Sequence, residues 1–163
     1  MDNLVSIIVG SDSDLEYAKN CSETLKKLSI EHSINVLSAH RSPKLVEEHI
    51  TKCEQQGVKV FIAMAGLAAH LAGAVASKTT KPVIGVPLDG GPLKGIDSLL
   101  STVQMPKGIP VATVAIGSTG AINAAYLAAQ ILGVESESIS KGLREVRNKA
   151  EQSIEEINKE LES

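Results

Sequence analysis

Five continuous apolar runs of strand length recur along the chain, and a segment with helical periodicity separates each run from the next. The runs span residues 4–10, 33–38, 58–66, 81–87 and 109–117. Runs that are apolar at every position, rather than at alternate positions, are typical of strands covered on both faces. Strands alternating with helices form a parallel sheet through right-handed crossovers. The pattern therefore predicts an α/β fold, a three-layer sandwich.

The segments between the runs carry helix signals. Ser13 and Glu16 have the spacing of a capping box, and Ser42 followed by Pro43 is a typical helix start. Further helices are expected over residues 68–78, 96–102 and from Gly120 onward. Helices on both faces favour a flavodoxin-like parallel sheet, and we expect the strand order 2-1-3-4-5.

The last thirty residues follow a different pattern. From Ser136 onward, apolar side chains recur at steps of three and four, which predicts a C-terminal amphipathic helix. Such a helix either covers its own domain or contacts a neighbouring subunit, and the sequence favours neither. A chain of 163 residues suits one compact domain. We therefore expect a flavodoxin-like domain over residues 1–133 and a helical extension of it over 134–163.

Composition excludes several classes of function. The chain has 16 basic and 19 acidic residues, a net charge of −3, which disfavours nucleic acid as a partner. The apolar segment 60–76 is shorter than a membrane span and is better explained as a strand followed by a helix. Cys21 and Cys53 match no metal-ligand spacing and are expected to be buried. The N-terminus lacks the features of a secretory signal, so we expect a cytoplasmic protein.

Polar residues follow the first apolar run, in the sequence "GSDSD". Ligands of such sheets bind beyond the carboxyl ends of the strands. Free amides at a helix start, together with serine hydroxyls, can bind phosphate there. The segment is neither a dinucleotide fingerprint nor a P-loop, because the required glycines and lysine are missing. A helix start with solvated acids, Asp12 and Asp14, is the alternative.

The second run ends in "SAHRSP", which places a histidine beside an arginine. Arg41 offers a forked set of donors suited to phosphate. His40 can change protonation near neutral pH, and can therefore donate a proton to a ligand and take one back. The alternative for either residue is an ordinary surface contact.

The third run ends in "AGLAAHLAG". Gly66 allows a close approach of the backbone to a ligand, and His70 either lines the same cleft or hydrogen-bonds at the sheet edge. We expect His32 and His49 to be exposed, and the four histidines form no convincing metal site. The residues alone predict an anion site of phosphate size beside an acid/base histidine, and they do not choose a reaction.

Taken in order, these motifs resemble the PurE family of purine biosynthesis, over about Val5 to Leu132. The match is to the class I form, N5-carboxyaminoimidazole ribonucleotide mutase. The resemblance implies a homo-octamer with active sites at subunit contacts, a ribonucleotide substrate, CO2 as an intermediate, and no metal or organic cofactor. The motifs are "GSDSD", "SAHRSP", "AGLAAHLAG", "KTTKPVIGVP", "GIDSLLSTVQMPKGIPVATVAIG" and "NAAYLAAQIL".

The resemblance also implies site residues. His40 corresponds to the catalytic acid/base. The positions that hold the ribose phosphate correspond to Ser11, Ser13, Asp14 and Arg41. Ser38 and Ala39 border the histidine. The loop around the imidazole and carboxylate corresponds to Gly66, Ala68, Ala69, His70 and Leu71.

Three features depart from the class I pattern. Leu67 stands where glycine is usual, Ala72 where proline is usual, and "PLDGGPLKG" differs from the common loop. These departures leave open the direct carboxylation of aminoimidazole ribonucleotide with CO2. A non-catalytic nucleotide-binding module is a more distant alternative, since it would need Arg41 but no titrating neighbour.

Overall fold

The computed structural model describes residues 4–162, which form a five-stranded parallel sheet with helices on both faces. The strands are β1 (Val5–Val9), β2 (His32–Val36), β3 (Val60–Ala65), β4 (Val83–Pro87) and β5 (Ala112–Thr113). Their order is β2-β1-β3-β4-β5, and every neighbouring pair is parallel. The predicted three-layer α/β sandwich with flavodoxin-like order is confirmed. Residues 1–3 and 163 of the expected domain bounds lie outside the described residues.

Six α-helices lie in the described chain: α1 (Leu15–Lys27), α2 (Pro43–Gln55), α3 (Leu71–Ala76), α4 (Ile96–Val103), α5 (Gly117–Gly133) and α6 (Glu137–Leu161). Successive strand residues point to opposite faces of the sheet. Ile7 accordingly packs in the core shared with α1 and α5, while Ile8 packs in the core shared with α2 and α3. Both faces of β1 are fully buried, which explains its uninterrupted apolar sequence.

The predictions of a capping box before α1 and of a long fifth strand are wrong, and α5 begins at Gly117, three residues before its predicted start. Asp12–Asp14 form a 3-10 turn ahead of α1, and the Ser13 hydroxyl donates to Asp14, so no capping box forms with Glu16. The predicted fifth run is a strand only over Ala112–Thr113, because only these two residues pair with β4.

The predicted C-terminal helix is confirmed as α6, and its two halves differ. In the first half, Ile139 is buried and Leu143 and Val146 pack against the core beneath. In the second half, Ile154 is 61% exposed and Leu161 is 80% exposed. The helix therefore covers its own domain with its first turns and leaves the rest of its apolar seam open. No helix in the described part of the chain is long and apolar enough to cross a membrane.

The structure corrects the expectation that His32 and His49 are exposed, since both are partly buried and hydrogen-bonded. His32 Nε2 lies 2.7 Å from Ser22 Oγ. His49 Nε2 lies 2.9 Å from Ser6 Oγ, and Cys53 Sγ is 3.3 Å from the same nitrogen. Cys53 is a buried free thiol as predicted, and so is Cys21.

Burial lowers the pKa of His49, and the positive charge of Lys52 acts in the same direction. In the unfolded chain this histidine binds a proton at its ordinary pKa of about 6.5. The unfolded state therefore gains more protons as the pH falls below that value, and the free energy of unfolding decreases. We expect His49→Gln to weaken this decrease, measured by urea unfolding at several pH values. His32→Gln is the matched control, and an unchanged pH dependence in His49→Gln would contradict the assignment.

Candidate active site

Three loops meet where β2, β1 and β3 end, because these parallel strands are neighbours in the sheet. They comprise residues 10–14, 37–42 and 66–70, which contain the three polar motifs singled out from the sequence. All three motifs therefore lie on one rim, as ligand sites in such sheets do.

Arg41 spans two of these loops. Its Nη2 donates to the carbonyl of Gly10 at 2.9 Å, and its Nε donates to Ser38 Oγ at 3.4 Å. The guanidinium therefore lies across the end of β1, beside the 10–14 loop. A cavity of about 310 Å³ opens at this point and is lined by Ser11, Asp12, Val36, Ser38, Arg41 and Ser42. Its size and its donors suit a phosphate group.

The loop that carries His40 and Arg41 is closed on itself. Ser42 Oγ donates to the Ser38 carbonyl at 3.0 Å and accepts from the Ser38 amide at 3.0 Å. Ser42 precedes α2, but its side chain makes no capping bond to the helix, contrary to the prediction. Its hydroxyl instead fixes the turn, and Ala39 packs against the core beneath it.

The catalytic candidate His40 contacts the other histidine of the rim. Its Nε2 lies 2.7 Å from His70 Nδ1, and the two rings stand almost perpendicular at 88°. One of these nitrogens must carry the hydrogen and the other must accept it. The side chain of His70 is therefore directed toward His40 on the rim, and its place in a ligand cleft stays a prediction. Both side chains are exposed, so a ligand can reach them.

The 66–70 loop brings His70 into place through its backbone. Ala69 is buried, and the His70 amide donates to the Ala68 carbonyl at 2.9 Å. The first residue of α3, Leu71, is also buried and anchors the end of the loop. The predicted start of this helix at residue 68 is therefore three residues early.

The two acids of the first loop have different environments. Hydrogen bonds from the Ser11 hydroxyl and the Ser13 amide lower the pKa of Asp12, which is exposed. Burial raises the pKa of Asp14, while a hydrogen bond from Ser13 opposes this shift. The alternative prediction that both acids are solvated is therefore right for Asp12 only. Asp14 is partly buried beside Gly10.

Tyr17 and Asp89, which lie near the rim, had no predicted role. Tyr17 on α1 donates its hydroxyl to Asp89 Oδ1 at 2.5 Å. This hydrogen bond is the main reason that the pKa of Tyr17 rises to about 12. Asp89 belongs to the 88–95 loop between β4 and α4. Tyr17 follows Asp14 by three residues, so helical spacing from that rim residue is the signal that could have identified it.

A second concavity lies at the opposite, amino-terminal edge of the sheet. It has a volume of about 640 Å³, and Lys59 and Lys81 are among its lining residues. Lys59 pairs with Glu135 at 3.4 Å. The lining of this groove contains no histidine, so the carboxyl-terminal rim is the better candidate for proton transfer. Within residues 4–162, no three histidine, cysteine or acidic side chains are placed to hold a metal ion.

The fold and the rim define a flavodoxin-like α/β protein in which a pocket lined by Arg41 and a pair of contacting histidines lie on the same rim. The chain belongs to the AIR carboxylase family, whose model matches residues 4–153. The resemblance to PurE proteins inferred from the motifs is confirmed by this match and by the relatives that follow.

Two relatives have the name N5-carboxyaminoimidazole ribonucleotide mutase. The Bacillus subtilis protein is 48% identical over 161 residues, which cover 99% of each chain. The Methanocaldococcus jannaschii protein is 51% identical over 151 residues, which cover 93% of this chain and 92% of the relative. The crystal structure of Treponema denticola PurE superposes with a TM-score of 0.89, at 29% identity over 98% of each chain.

Proposed function

We propose that this chain is an isomerase of de novo purine biosynthesis that converts N5-carboxyaminoimidazole ribonucleotide to 4-carboxyaminoimidazole ribonucleotide. The observation that carries the proposal is the contact between His40 and His70 beside the pocket that Arg41 lines. The names of relatives at 48% and 51% identity support the choice of reaction.

His40 is the acid and then the base. Protonated His40 donates a proton to the carbamate nitrogen as the bond from nitrogen to the carboxyl carbon breaks, which gives aminoimidazole ribonucleotide and CO2. Carbon 4 of the imidazole then attacks the CO2, and neutral His40 removes the proton from that carbon. The histidine ends in its starting state, so the reaction consumes no other reagent. His70 orients the imidazole of His40 through their hydrogen bond.

The ribose phosphate occupies the cavity at the end of β1. The N–H groups of Arg41 that are not used by Gly10 and Ser38 bind the phosphate. The hydroxyl of Ser11, which donates to Asp12 in this structure, turns to donate to the phosphate when the substrate binds. Ser13 and Asp14 hold the ribose, since a carboxylate accepts hydrogen bonds from sugar hydroxyls. Ser38 and Ala39 form the turn below the base.

The 66–70 loop and the start of α3 enclose the imidazole and its carboxylate. Gly66, Ala68 and Ala69 supply backbone groups and little side-chain bulk, and Leu71 anchors the end of the loop. A small, partly apolar wall suits CO2, which has no charge by which it could be held.

Two of the three departures from the class I pattern, Leu67 and Ala72, lie at positions whose backbone also suits the usual residue. Leu67 has a φ of 55°, in the left-handed region that glycine adopts without strain, so this backbone position also suits the usual glycine. Ala72 is the second residue of α3, in the first helical turn, where both proline and alanine fit. Both positions therefore accommodate either residue, and the names of the relatives support the mutase reaction over direct carboxylation.

The same proposal extends to the assembly, a cytoplasmic homo-octamer with active sites at subunit contacts and without metal, organic cofactor or nucleic acid. Ile96, Leu100 and Val103 of α4 support it, because they are 45–55% exposed and share one helix face. Residues 1–133 form the catalytic domain in this proposal, and 134–163 extend it. Light scattering of the purified protein measures the subunit number.

The test of the reaction compares two substrates without ATP or added metal. We expect N5-carboxyaminoimidazole ribonucleotide to be converted to the 4-carboxy product. If the protein converts aminoimidazole ribonucleotide plus CO2 but does not convert N5-carboxyaminoimidazole ribonucleotide, the assigned activity changes from isomerase to carboxylase. Binding of both ribonucleotides without turnover would indicate the non-catalytic module.

A further inference from the structure

We propose that Tyr17 and Asp89 are positioning residues that hold the 88–95 loop against the 66–70 loop and so keep the carboxylate end of the site closed around CO2. The inference rests on the proposed function, in which CO2 is briefly free. It assigns a role to a residue pair outside the site described above.

The ends of the 88–95 loop are fixed by a buried serine. Ser98 Oγ lies 2.7 Å from the Leu88 carbonyl and 3.0 Å from the Gly95 carbonyl, so its hydroxyl bridges the two ends. The Leu88 amide donates to Ala65 at 2.9 Å and continues the pairing of β3 with β4. Between these points, residues 89–94 are exposed. Their position therefore depends on contacts made by the middle of the loop.

The first of these contacts is the hydrogen bond from Tyr17 to Asp89. It joins α1 to a loop that lies 72 residues further along the chain. The Asp89 carboxylate also lies over the start of α5, where a Cβ added to Gly117 would be 3.3 Å from Oδ1. The partial positive charge of a helix N-terminus favours a carboxylate at that place. Asp89 is therefore held from two sides, and Tyr17 supplies the directional contact.

The second contact joins the 88–95 loop to the 66–70 loop. A Cβ added to Gly91 would overlap Leu67 Cδ2, so the leucine methyl lies directly on the glycine backbone. A Cβ added to Gly66 would be 3.7 Å from the Leu88 carbonyl oxygen and 3.9 Å from the Gly90 amide nitrogen. The two loops thus touch at successive residues. A displacement of Gly91 would release Leu67, and with it the segment that ends at His70.

This coupling matters for the proposed reaction because free CO2 carries no charge and makes no covalent bond to the protein. Its retention depends on the walls of a closed site. If the 88–95 loop moves away, CO2 escapes before carbon 4 attacks, while the first proton transfer from His40 still occurs. Tyr17 therefore governs whether CO2 is retained between the two proton transfers, both of which His40 carries out.

The first test measures how often a turnover releases aminoimidazole ribonucleotide instead of the 4-carboxy product. We expect Tyr17→Phe to raise this released fraction severalfold, with an unchanged melting temperature. Tyr126→Phe is the matched control, because Tyr126 lies on α5 away from both loops. Asp89→Asn keeps an oxygen that accepts from Tyr17 but loses the charge at the start of α5, so its released fraction should fall between those of wild type and Tyr17→Phe. Asp89→Leu loses both contacts and should release at least as much as Tyr17→Phe.

The second test does not depend on activity. We expect Tyr17→Phe to speed amide hydrogen exchange in residues 66–70 as well as in residues 88–95. Faster exchange confined to residues 88–95 would overturn the proposed coupling of the two loops. An unchanged fraction of released aminoimidazole ribonucleotide would overturn the proposed closure around CO2. If wild-type protein converts neither ribonucleotide, the proposed function and the closure fail together, and the exchange result still decides whether the loops are coupled.

Discussion

Replacing His40 with asparagine is expected to lower kcat on N5-carboxyaminoimidazole ribonucleotide by a factor on the order of 1,000, within the range that general acid/base catalysis contributes. Asparagine retains the size of the side chain and a hydrogen-bonding amide, but it cannot carry a proton out and back. Substrate binding should change little, because the ribose phosphate is held by Arg41 and the first loop. Steady-state kinetics together with calorimetric titration of the substrate separates the two effects.

His70→Asn is the informative companion to this variant. It removes the group that lies 2.7 Å from His40 Nε2 but leaves the proposed proton carrier in place. We expect a smaller loss of kcat than in His40→Asn. His32→Asn, on β2 and remote from the rim, serves as the matched control. Near-normal kcat in His40→Asn would remove this residue from the catalytic role.

Much of the fold could be predicted because a strand that is buried on both faces is apolar at nearly every position. Ile7 and Ile8 face different cores, and both must be apolar. At β5 the apolar sequence does not report the extent of the strand, because only Ala112 and Thr113 pair with β4. The apolar run there extended the predicted strand well beyond the two residues that pair.

Some features of the candidate site could be predicted from the sequence and others could not. Position at a strand end was enough to predict that His40 and Arg41 lie on the rim with the other two motifs, because all strands of a parallel sheet end at one rim. The contacts between loops were not predictable. His40 and His70 are 30 residues apart, and Tyr17 and Asp89 are 72 apart. Such pairs depend on how each loop turns, and sequence spacing carries no information about that.

Arg41→Ala is expected to raise KM on the order of 100-fold while it lowers kcat much less. Each charge-assisted hydrogen bond to the phosphate is worth about 1.5–3 kcal/mol, and about 1.4 kcal/mol corresponds to a tenfold change. The loss falls on binding because this guanidinium holds a part of the substrate that does not react. Kinetics at increasing salt should show a weaker salt dependence of KM in the variant than in wild type.

The replacement Arg41→Lys separates the charge of this residue from its geometry. Lysine keeps the positive charge but lacks the planar fork that reaches the Gly10 carbonyl and Ser38 Oγ together. We therefore expect KM between those of wild type and Arg41→Ala. Arg144→Ala removes an arginine paired with Glu137 on α6 and should leave KM unchanged. If Arg41→Ala lowered kcat alone, Arg41 would belong to the chemical step with His40 and would not be the phosphate anchor.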